Sequence, residues 1–306
     1  MSDTLDLEHA DAEDAVLPRA PEDDTGGHVK KRWGIGFWLS AVWLLAIVVL
    51  SVGAPYLPFV EEPGAFPDFS IESLAGPSAD HWFGVNQNGD DLFSQVVNGG
   101  RTSLLIGGSV VFFGFVVGGA IGIAAGFYGG RTDRIISAIL DVFLAFPALV
   151  LALALIGIVT GGDANLPVVI LALSLLSVAP LARITRGATL AVAEREYVLA
   201  ARTLGARQPR IIAKEILPNV VPPMAAFALT VIAVVIVAEG ALAFLGLSVS
   251  SPAPTWGKLI AEGRAEIENH GHWALFPAGT MFLTILSLNY IGDVLQSRFT
   301  VREGAL

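Results

Sequence analysis

Three polar side chains inside long apolar stretches are the first residues of this sequence that could do chemistry. Asp141, Glu239 and Asn289 each interrupt a run of mostly apolar residues and are candidates to line a polar pathway through the protein. An unpaired charge at the centre of a bilayer costs at least about 2.5 kcal/mol, so both carboxylates should face a bundle interior or a wet cavity. Glu239 and Asn289 could bind a solute or join two helices. Asp141 lies nearer the end of its apolar run, and this position favours a role in joining two helices.

Nucleotide and thiol chemistry are not expected on this chain. A phosphate-binding loop needs the pattern G-x-x-x-x-G-K-[ST], and Gly257-Lys258 lacks both the earlier glycine and the following hydroxyl. The sequence contains 0 cysteines, which excludes disulfides, thiolate metal sites and cysteine nucleophiles. We therefore expect no ATP hydrolysis by this chain.

Two short segments resemble metal sites without completing them. Asn86 to Asp91 is similar to a calcium loop, but that pattern would need an acid at Gly84 and a glutamate at Gln95. His270 and His272 lie two residues apart with no third ligand nearby, which is typical of a solvated loop. The sequence predicts no bound metal and no cofactor.

The elements that carry these residues must be solvated by something other than water. The 306 residues are 54% hydrophobic and 15% charged, whereas a soluble domain carries about 25% charged residues. Backbone polar groups in lipid must be bonded within a helix or a closed barrel, and the apolar runs are too long for barrel strands. We predict an all-α polytopic membrane protein. Its six transmembrane helices are expected at Ile35–Tyr56, Ser103–Phe127, Ile135–Val159, Leu166–Ala182, Val220–Leu247 and Trp273–Leu295.

The distribution of basic residues predicts the orientation, because lysine and arginine collect in short cytoplasmic loops. With a cytoplasmic N-terminus, 15 of the 18 basic residues lie inside, and only Arg101, Lys258 and Arg264 lie outside. An even number of crossings places the C-terminus inside as well. The net charge of -10 then belongs to the N-terminal tail and the external segments, while the cytoplasmic loops stay positive.

These crossings divide the chain into five parts. Residues 1–32 are predicted to be a disordered acidic cytoplasmic tail rather than a cleaved signal peptide, and residues 33–56 are the first transmembrane helix. Residues 57–100 form an external segment that should fold against the outer face of the bundle. Residues 101–296 form a five-helix core that contains a cytoplasmic loop at 183–218. Residues 297–306 are the cytoplasmic C-terminus.

A stripe of glycines at a spacing of four residues follows the second apolar run. It comprises Gly114, Gly118, Gly122, Gly126 and Gly130. Small residues allow the close helix packing that replaces the hydrophobic drive in lipid. The stripe predicts tight packing, either within this chain or against a partner.

The loop at 183–218 is the long internal loop on the cytoplasmic side, and its pattern predicts a helix, a turn and a second short helix. Gly205 suits the end of the first helix, Pro209 can begin the second, and Pro218 is expected to end it. The first helix carries a narrow stripe of residues that could dock into a cleft of a partner protein. Packing of this helix on the membrane surface, or a plain loop in its place, remain alternatives. The stripe consists of Tyr197, Ala200, Ala201 and Leu204.

The same loop resembles the cytoplasmic loop of bacterial ABC importer permeases, which carries A-A-x-x-x-G followed by L-P-N. The resemblance extends from about Asp80 to Asp293 through HWFGVNQNGDDLFSQVVNGGRTSL, FYGGRTDR, DVFLAFPALVLALAL, AEGALAFLGLSV, SPAPTWGKLI and LNYIGD. These motifs are similar to those of the C-type permease of dipeptide and oligopeptide importers, within the peptide/nickel family and the type I permease fold. Leu199 departs from the family, which usually has an acid before the paired alanines. Val85, Asn86 and Asp90 depart at the external motif.

The resemblance implies that this chain forms half of a translocation pathway for peptides in a bacterial cell membrane. Its implied partners are a homologous B-type permease, two ATPase subunits that hold ATP and Mg, and an external substrate-binding protein; no nucleic-acid partner is expected. The residues implied to couple to the ATPases are Glu196, Tyr197, Ala200, Ala201, Gly205 and Pro218.

Three alternatives remain open. The same family could carry nickel chelates, glutathione, sugars, haem or another small solute. A secondary transporter driven by ion gradients would use Asp141 and Glu239 as ion sites, and a passive membrane scaffold would transport nothing.

Overall fold

The computed structural model describes residues 33–64, 72–161 and 164–303, with side chains in the last range described up to residue 298. The tail predicted at residues 1–32 lies outside the described part. Within that part the chain is almost entirely helical, and its β pairing is an isolated bridge between Val85 and Asp91. The helices are α1 Ile35–Gly53, α2 Leu92–Tyr128, α3 Gly130–Ala145, α4 Ala148–Thr160, α5 Leu166–Ala193, α6 Glu196–Thr203, α7 Gln208–Ile211, α8 Leu217–Phe244, α9 Trp256–Gly263 and α10 His272–Glu303.

The membrane-crossing helices agree with the predicted fold class. Among the described residues, 5 helices are long and apolar enough to cross a membrane, and the count reaches 6 if α3 and α4 together form one span. An all-helical bundle is expected where lipid offers no hydrogen-bond partners to the backbone. The polytopic α-helical architecture is confirmed.

The third apolar run was predicted as one helix over Ile135–Val159, and this prediction is wrong. The chain bends by 88° between α3 and α4. Phe146 takes an extended backbone conformation (φ -79°, ψ 138°) just before Pro147. Proline has no N–H and disfavours helical backbone at the preceding residue, so the helix ends there and a new one begins.

Several helices extend beyond the apolar runs that predicted them. α2 begins at Leu92, inside the segment predicted to be external, because Asp91 caps it by accepting a 2.7 Å hydrogen bond from the Ser94 amide. α5 continues to Ala193, so the predicted loop start at residue 183 lies within a helix. α10 continues to Glu303, through most of the predicted C-terminal segment. Hydropathy marks the apolar part of a helix and not its hydrogen-bonded ends.

The contact between α2 and α5 is the most extensive helix contact among the described residues, and the glycine stripe lies along it. A Cβ atom added to Gly122 would lie 2.4 Å from the Ala182 carbonyl oxygen, and one on Gly118 would lie 2.6 Å from that of Val178. Gly114 and Gly126 also meet α5, whereas Gly130 faces open space at φ +56°. The stripe therefore packs within this chain. Its small residues let the backbones of α2 and α5 approach more closely than larger side chains would allow.

One end of the bundle, called here the α9 end, is closed by the non-helical segments and α9. Trp256, fully buried at the start of α9, donates from Nε1 to the Val96 carbonyl (2.9 Å), and its amide donates to Ser103 Oγ (3.1 Å). Asn98 Nδ2 donates to the Glu61 carbonyl at 2.9 Å. These bonds fasten residues 54–64 and α9 to the first turns of α2. The opposite end, called the α6 end, carries α6 and α7.

Candidate coupling surface and pathway residues

The helix α6 is short, and its end is defined by backbone hydrogen bonds. The Gly205 amide donates to the Arg202 carbonyl, and the Ala206 amide donates to the Ala201 carbonyl, both at 3.0 Å. This pair of bonds is a Schellman motif, which requires left-handed backbone after the helix, and Gly205 supplies it at φ +76°. The loop thus has the helix–turn–helix form that the sequence predicts, with Gly205 at the turn.

One face of α6 is seated on the ends of α2, α5 and α7. Val198 is 0% exposed and packs with Ile211 and Val192 in a small apolar cluster. The Arg202 guanidinium lies over the Phe127 ring, 5.0 Å from its centroid, a distance typical of a cation–π contact. Val198 and Arg202 are four residues apart and therefore share this inner face.

The opposite face of α6 is exposed and carries most of the predicted coupling residues. Glu196, Tyr197, Ala200 and Gly205 are exposed, and Leu204 is 87% exposed. Ala201 is half-buried and packs against the inner cluster, so it lies at the edge of the exposed face. A surface of small residues flanked by an aromatic side chain and a leucine projects from the α6 end.

Pro218 does not end the second helix of the loop, so that prediction is wrong. The helical path runs from Gln208 to Phe244 as one 37-residue span through a π-helical turn at Ile212–Ile216. Pro218 lies in the first turn of α8, where a missing N–H is tolerated because the π turn has already interrupted the α-helical ladder. Asn219 Nδ2 donates to the Glu215 carbonyl at 2.6 Å, across this junction. The loop is therefore joined to α8 by continuous helix.

Asp141 pairs with Arg183 across α3 and α5. Arg183 Nη2 donates to Asp141 Oδ1, and the side chains stay 55% and 64% exposed, respectively. Sequence analysis missed the companion pair: Arg186 donates to both oxygens of Asp133, with 2.8 Å between Nη2 and Oδ2. Arg183 and Arg186 are one turn apart on α5. Two ion pairs therefore join α3 to α5 on the side of the α6 end.

Glu239 lies near the C-terminal end of α8 and forms hydrogen bonds to the loop between α8 and α9. Its carboxylate is 1% exposed, and Oε1 accepts hydrogen bonds from Ser248 Oγ (2.7 Å) and Thr255 Oγ1 (2.8 Å). Oε2 has no hydrogen-bond partner among the described residues. Glu239 therefore joins α8 to the segment before α9. The sequence signal for this role was the polar S-x-x-S-P-x-P-T segment that follows α8.

The three candidate pathway residues do not form one site. Asp141 pairs with α5, Glu239 with the loop before α9, and Asn289 is half-buried on α10, which packs on α1 and α8. In the described ranges, no group of three or more His, Cys, Asp or Glu side chains is arranged to hold a metal ion.

Comparison with known proteins places these features in context. Residues 118–302 match the family model described as "Binding-protein-dependent transport system inner membrane component". The chain is 35% identical over 257 residues to the glutathione transport system permease protein GsiD of Pectobacterium atrosepticum, covering 84% of each chain. It is 36% identical to the GsiD protein of Escherichia coli O6:K15:H31, covering 84% of this chain and 83% of that one.

Two solved structures share the fold at lower identity. An inward-facing structure of the MetNI methionine ABC transporter matches with a TM-score of 0.55 and 20% identity, over 68% of this chain and 97% of that chain. An amino acid ABC transporter described "with histidines" matches with a TM-score of 0.51 and 15% identity, over 67% of this chain and 94% of that chain. At these identities the structures support the fold.

Proposed function

Because the chain belongs to the family of binding-protein-dependent transport system inner membrane components and is a permease subunit of an ABC importer, we propose that it forms half of a pathway for small peptides. A homologous second permease supplies the other half, two ATPase subunits supply the energy, and an external binding protein delivers the solute. The α6 end faces the cytoplasm and the α9 end faces outward, with both termini inside. Family membership favours this function over the ion-gradient and scaffold alternatives.

The exposed face of α6 is the proposed contact with an ATPase subunit, and its geometry is the observation that carries the proposal. The inner face is fixed by Val198 and by Arg202 over Phe127, while Tyr197 and Ala200 are exposed. Movement of a bound ATPase would therefore act on a seated helix. The continuous helix from Gln208 to Phe244 can carry that movement toward the α9 end.

The second permease is proposed to cover the bent α3–α4 segment. Every residue from Asp141 to Val150 is exposed, including the apolar side chains of Phe143 and Phe146, and Asp141 pairs with Arg183 at the start of this stretch. An exposed ion pair inside an apolar membrane segment needs a protein or water neighbour rather than lipid. A homologous chain would cover the exposed apolar surface. It would also enclose a water-filled pathway beside the ion pair.

The proposed cargo is a small peptide, and glutathione, itself a tripeptide, is the member of this class that the relatives support. They are glutathione permeases by name and are 35% and 36% identical to this chain. Other solutes of the family, including nickel chelates, sugars and haem, are the runner-up proposal. Uptake of labelled glutathione, di- and tripeptides by the reconstituted importer would separate the two.

A cross-linking experiment tests the coupling surface directly, because the chain contains 0 native cysteines. Ala200→Cys on the exposed face should cross-link to a cysteine in the ATPase groove, with a yield that changes when ATP and vanadate are added. Val198→Cys is the matched control, since this neighbouring side chain is fully buried and should not react. Equal yields at the two positions, or uptake that resists vanadate and stops with a protonophore at constant ATP, would contradict the proposal.

A further inference from the structure

A cavity at the α9 end, with both apolar and charged side chains in its wall, is not explained by the coupling mechanism. Its volume is about 780 Å³, and it lies between the two residues that precede α5, the last turn of α8 and the segment from Gly246 to Arg264. Pockets that hold small-molecule ligands typically measure about 300–1,000 Å³. The cavity is therefore large enough for a short peptide.

Charged side chains of both signs line this cavity. Lys258 and Arg264 contribute positive charge, and Glu262 contributes negative charge. Lys258 Nζ donates to Ser251 Oγ at 2.9 Å, which holds the ammonium at the cavity wall. The Arg264 guanidinium lies over the Phe244 ring, 5.4 Å from the centroid, an arrangement that leaves its N–H edges available to a ligand. The wall thus offers donors to a carboxylate beside an acceptor for an ammonium.

A buried polar network fixes the shape of this wall. Glu239 accepts hydrogen bonds from Ser248 and Thr255, which lie at the two ends of the segment that borders the cavity. Thr255 also caps α9 by accepting a 3.0 Å bond from the Lys258 amide. Lys258 is therefore held in the first turn of a capped helix, so its charge is positioned before any ligand arrives.

The negative charge of Glu262 is only partly compensated by nearby positive charge. Burial raises the pKa of its carboxyl above the ordinary value although it keeps contact with solvent, and the nearby charge of Asp90 acts in the same direction while Lys258 opposes it. An incoming ammonium would add a second positive neighbour to the one that Lys258 already supplies.

We propose that this cavity is an entry site for short zwitterionic peptides, in which Lys258 and Arg264 bind the C-terminal carboxylate and Glu262 binds the N-terminal ammonium. This inference rests on the proposed peptide cargo and names the groups that recognise it. The opposed charges distinguish a zwitterion from a simple anion, because an anion would leave Glu262 with an unfavourable neighbour. The peptide enters this site after release from the binding protein and before the pathway opens inward.

Ser250→Cys supplies a direct readout of occupancy, because Ser250 is exposed on the cavity wall and no native cysteine competes on this chain. The full complex is labelled with a membrane-impermeant thiol reagent in the presence of trialanine, its C-terminal amide, its N-acetyl form or inorganic phosphate at equal ionic strength. Trialanine should slow labelling several-fold, and the two blocked peptides should protect much less. Equal protection by trialanine and its amide, or by phosphate, would overturn the peptide assignment.

Charge variants test the named side chains. Lys258→Gln and Arg264→Gln should each raise KM for trialanine uptake about tenfold, the effect of losing one interaction of about 1.4 kcal/mol, with kcat nearly unchanged. Lys258→Arg should recover most of the loss. Arg101→Gln is the matched control, since it removes an exposed cation at the same end of the bundle but outside the cavity.

Two further measurements distinguish failure of the entry-site proposal from failure of the proposed function. Co-purification of the Lys258 and Arg264 variants with the partner subunits should match that of the wild type, so a loss of assembly would indicate a structural role for these side chains and overturn the entry site. Failure of the proposed function itself would instead appear in the wild-type complex, as absent ATP-dependent uptake of every peptide.

Discussion

Thr255 Oγ1 donates a 2.8 Å hydrogen bond to Glu239 Oε1, joining α8 to the residue that caps α9. The two residues are 16 apart in the chain, and both are almost completely buried. A carboxylate in such a position is costly unless it is hydrogen-bonded, so the bond stabilises both the charge and the loop between the two helices.

Thr255→Val should therefore destabilise the protein. The substitution keeps the side-chain shape but removes a hydroxyl that donates to Glu239 and accepts from the Lys258 amide, which predicts a loss of about 1–3 kcal/mol. The midpoint of thermal unfolding of the purified complex measures it. Thr102→Val is the control, because that hydroxyl makes a single long bond of 3.4 Å within its own helix. Equal shifts for the two variants would show that the Glu239 bond contributes little.

Gly122→Ala should disrupt the contact between α2 and α5. The added methyl would lie 2.4 Å from the Ala182 carbonyl and 2.6 Å from Thr185 Cβ, so the two helices must separate. Overpacking of this kind costs about 1–3 kcal/mol. Gly108→Ala on the same helix meets nothing within 4 Å and should be neutral or slightly stabilising. Unfolding midpoints and the yield of assembled complex should differ between the two variants, and matching values would contradict the packing.

Gly205 is expected to be sensitive to backbone strain rather than to size. Its φ of +76° is accessible to glycine and asparagine but unfavourable for β-branched residues, and a Cβ there would meet nothing within 4 Å. Gly205→Val should therefore misplace α6 and lower ATP-driven uptake at least several-fold, while Gly205→Asn should retain most of it. The ratio of solute transported to ATP hydrolysed is the measurement. Equal uptake in both variants would argue against a role for this turn in coupling.

The stability of the α9 end should depend on pH through Glu262. Because burial raises the pKa of this carboxyl in the folded protein above the ordinary value of 4.5, the folded state binds more protons than the unfolded state in the intervening window. Wild-type stability relative to Glu262→Gln should rise as pH falls through the raised pKa, and level off below about 4.5. Glu268→Gln, an exposed acid in the same segment, is the control. A difference that grows with increasing pH would contradict the assignment.

Local sequence signals predicted the class of protein and the approximate positions of its crossings. Hydropathy over long windows reports a helix that must span lipid, because the requirement applies to every residue of that helix. The turn at Gly205 was also predictable, since a Schellman motif depends on residues adjacent in the chain. The family resemblance, which the comparison confirms, likewise rests on local strings, among them FYGGRTDR and LNYIGD.

The sequence by itself thus determined that this protein is a helical membrane permease and which loop projects from its bundle. The tertiary structure decided which residues meet: the glycine stripe with α5, Asp141 with Arg183, Asp133 with Arg186, and Glu239 with Thr255. It also decided that the chain bends at Phe146 and continues through Pro218. Periodicity and hydropathy describe one helix at a time. Contacts such as the one between Asp133 and Arg186, which lie 53 positions apart in the chain, depend on how whole helices pack, and no local pattern encodes that arrangement.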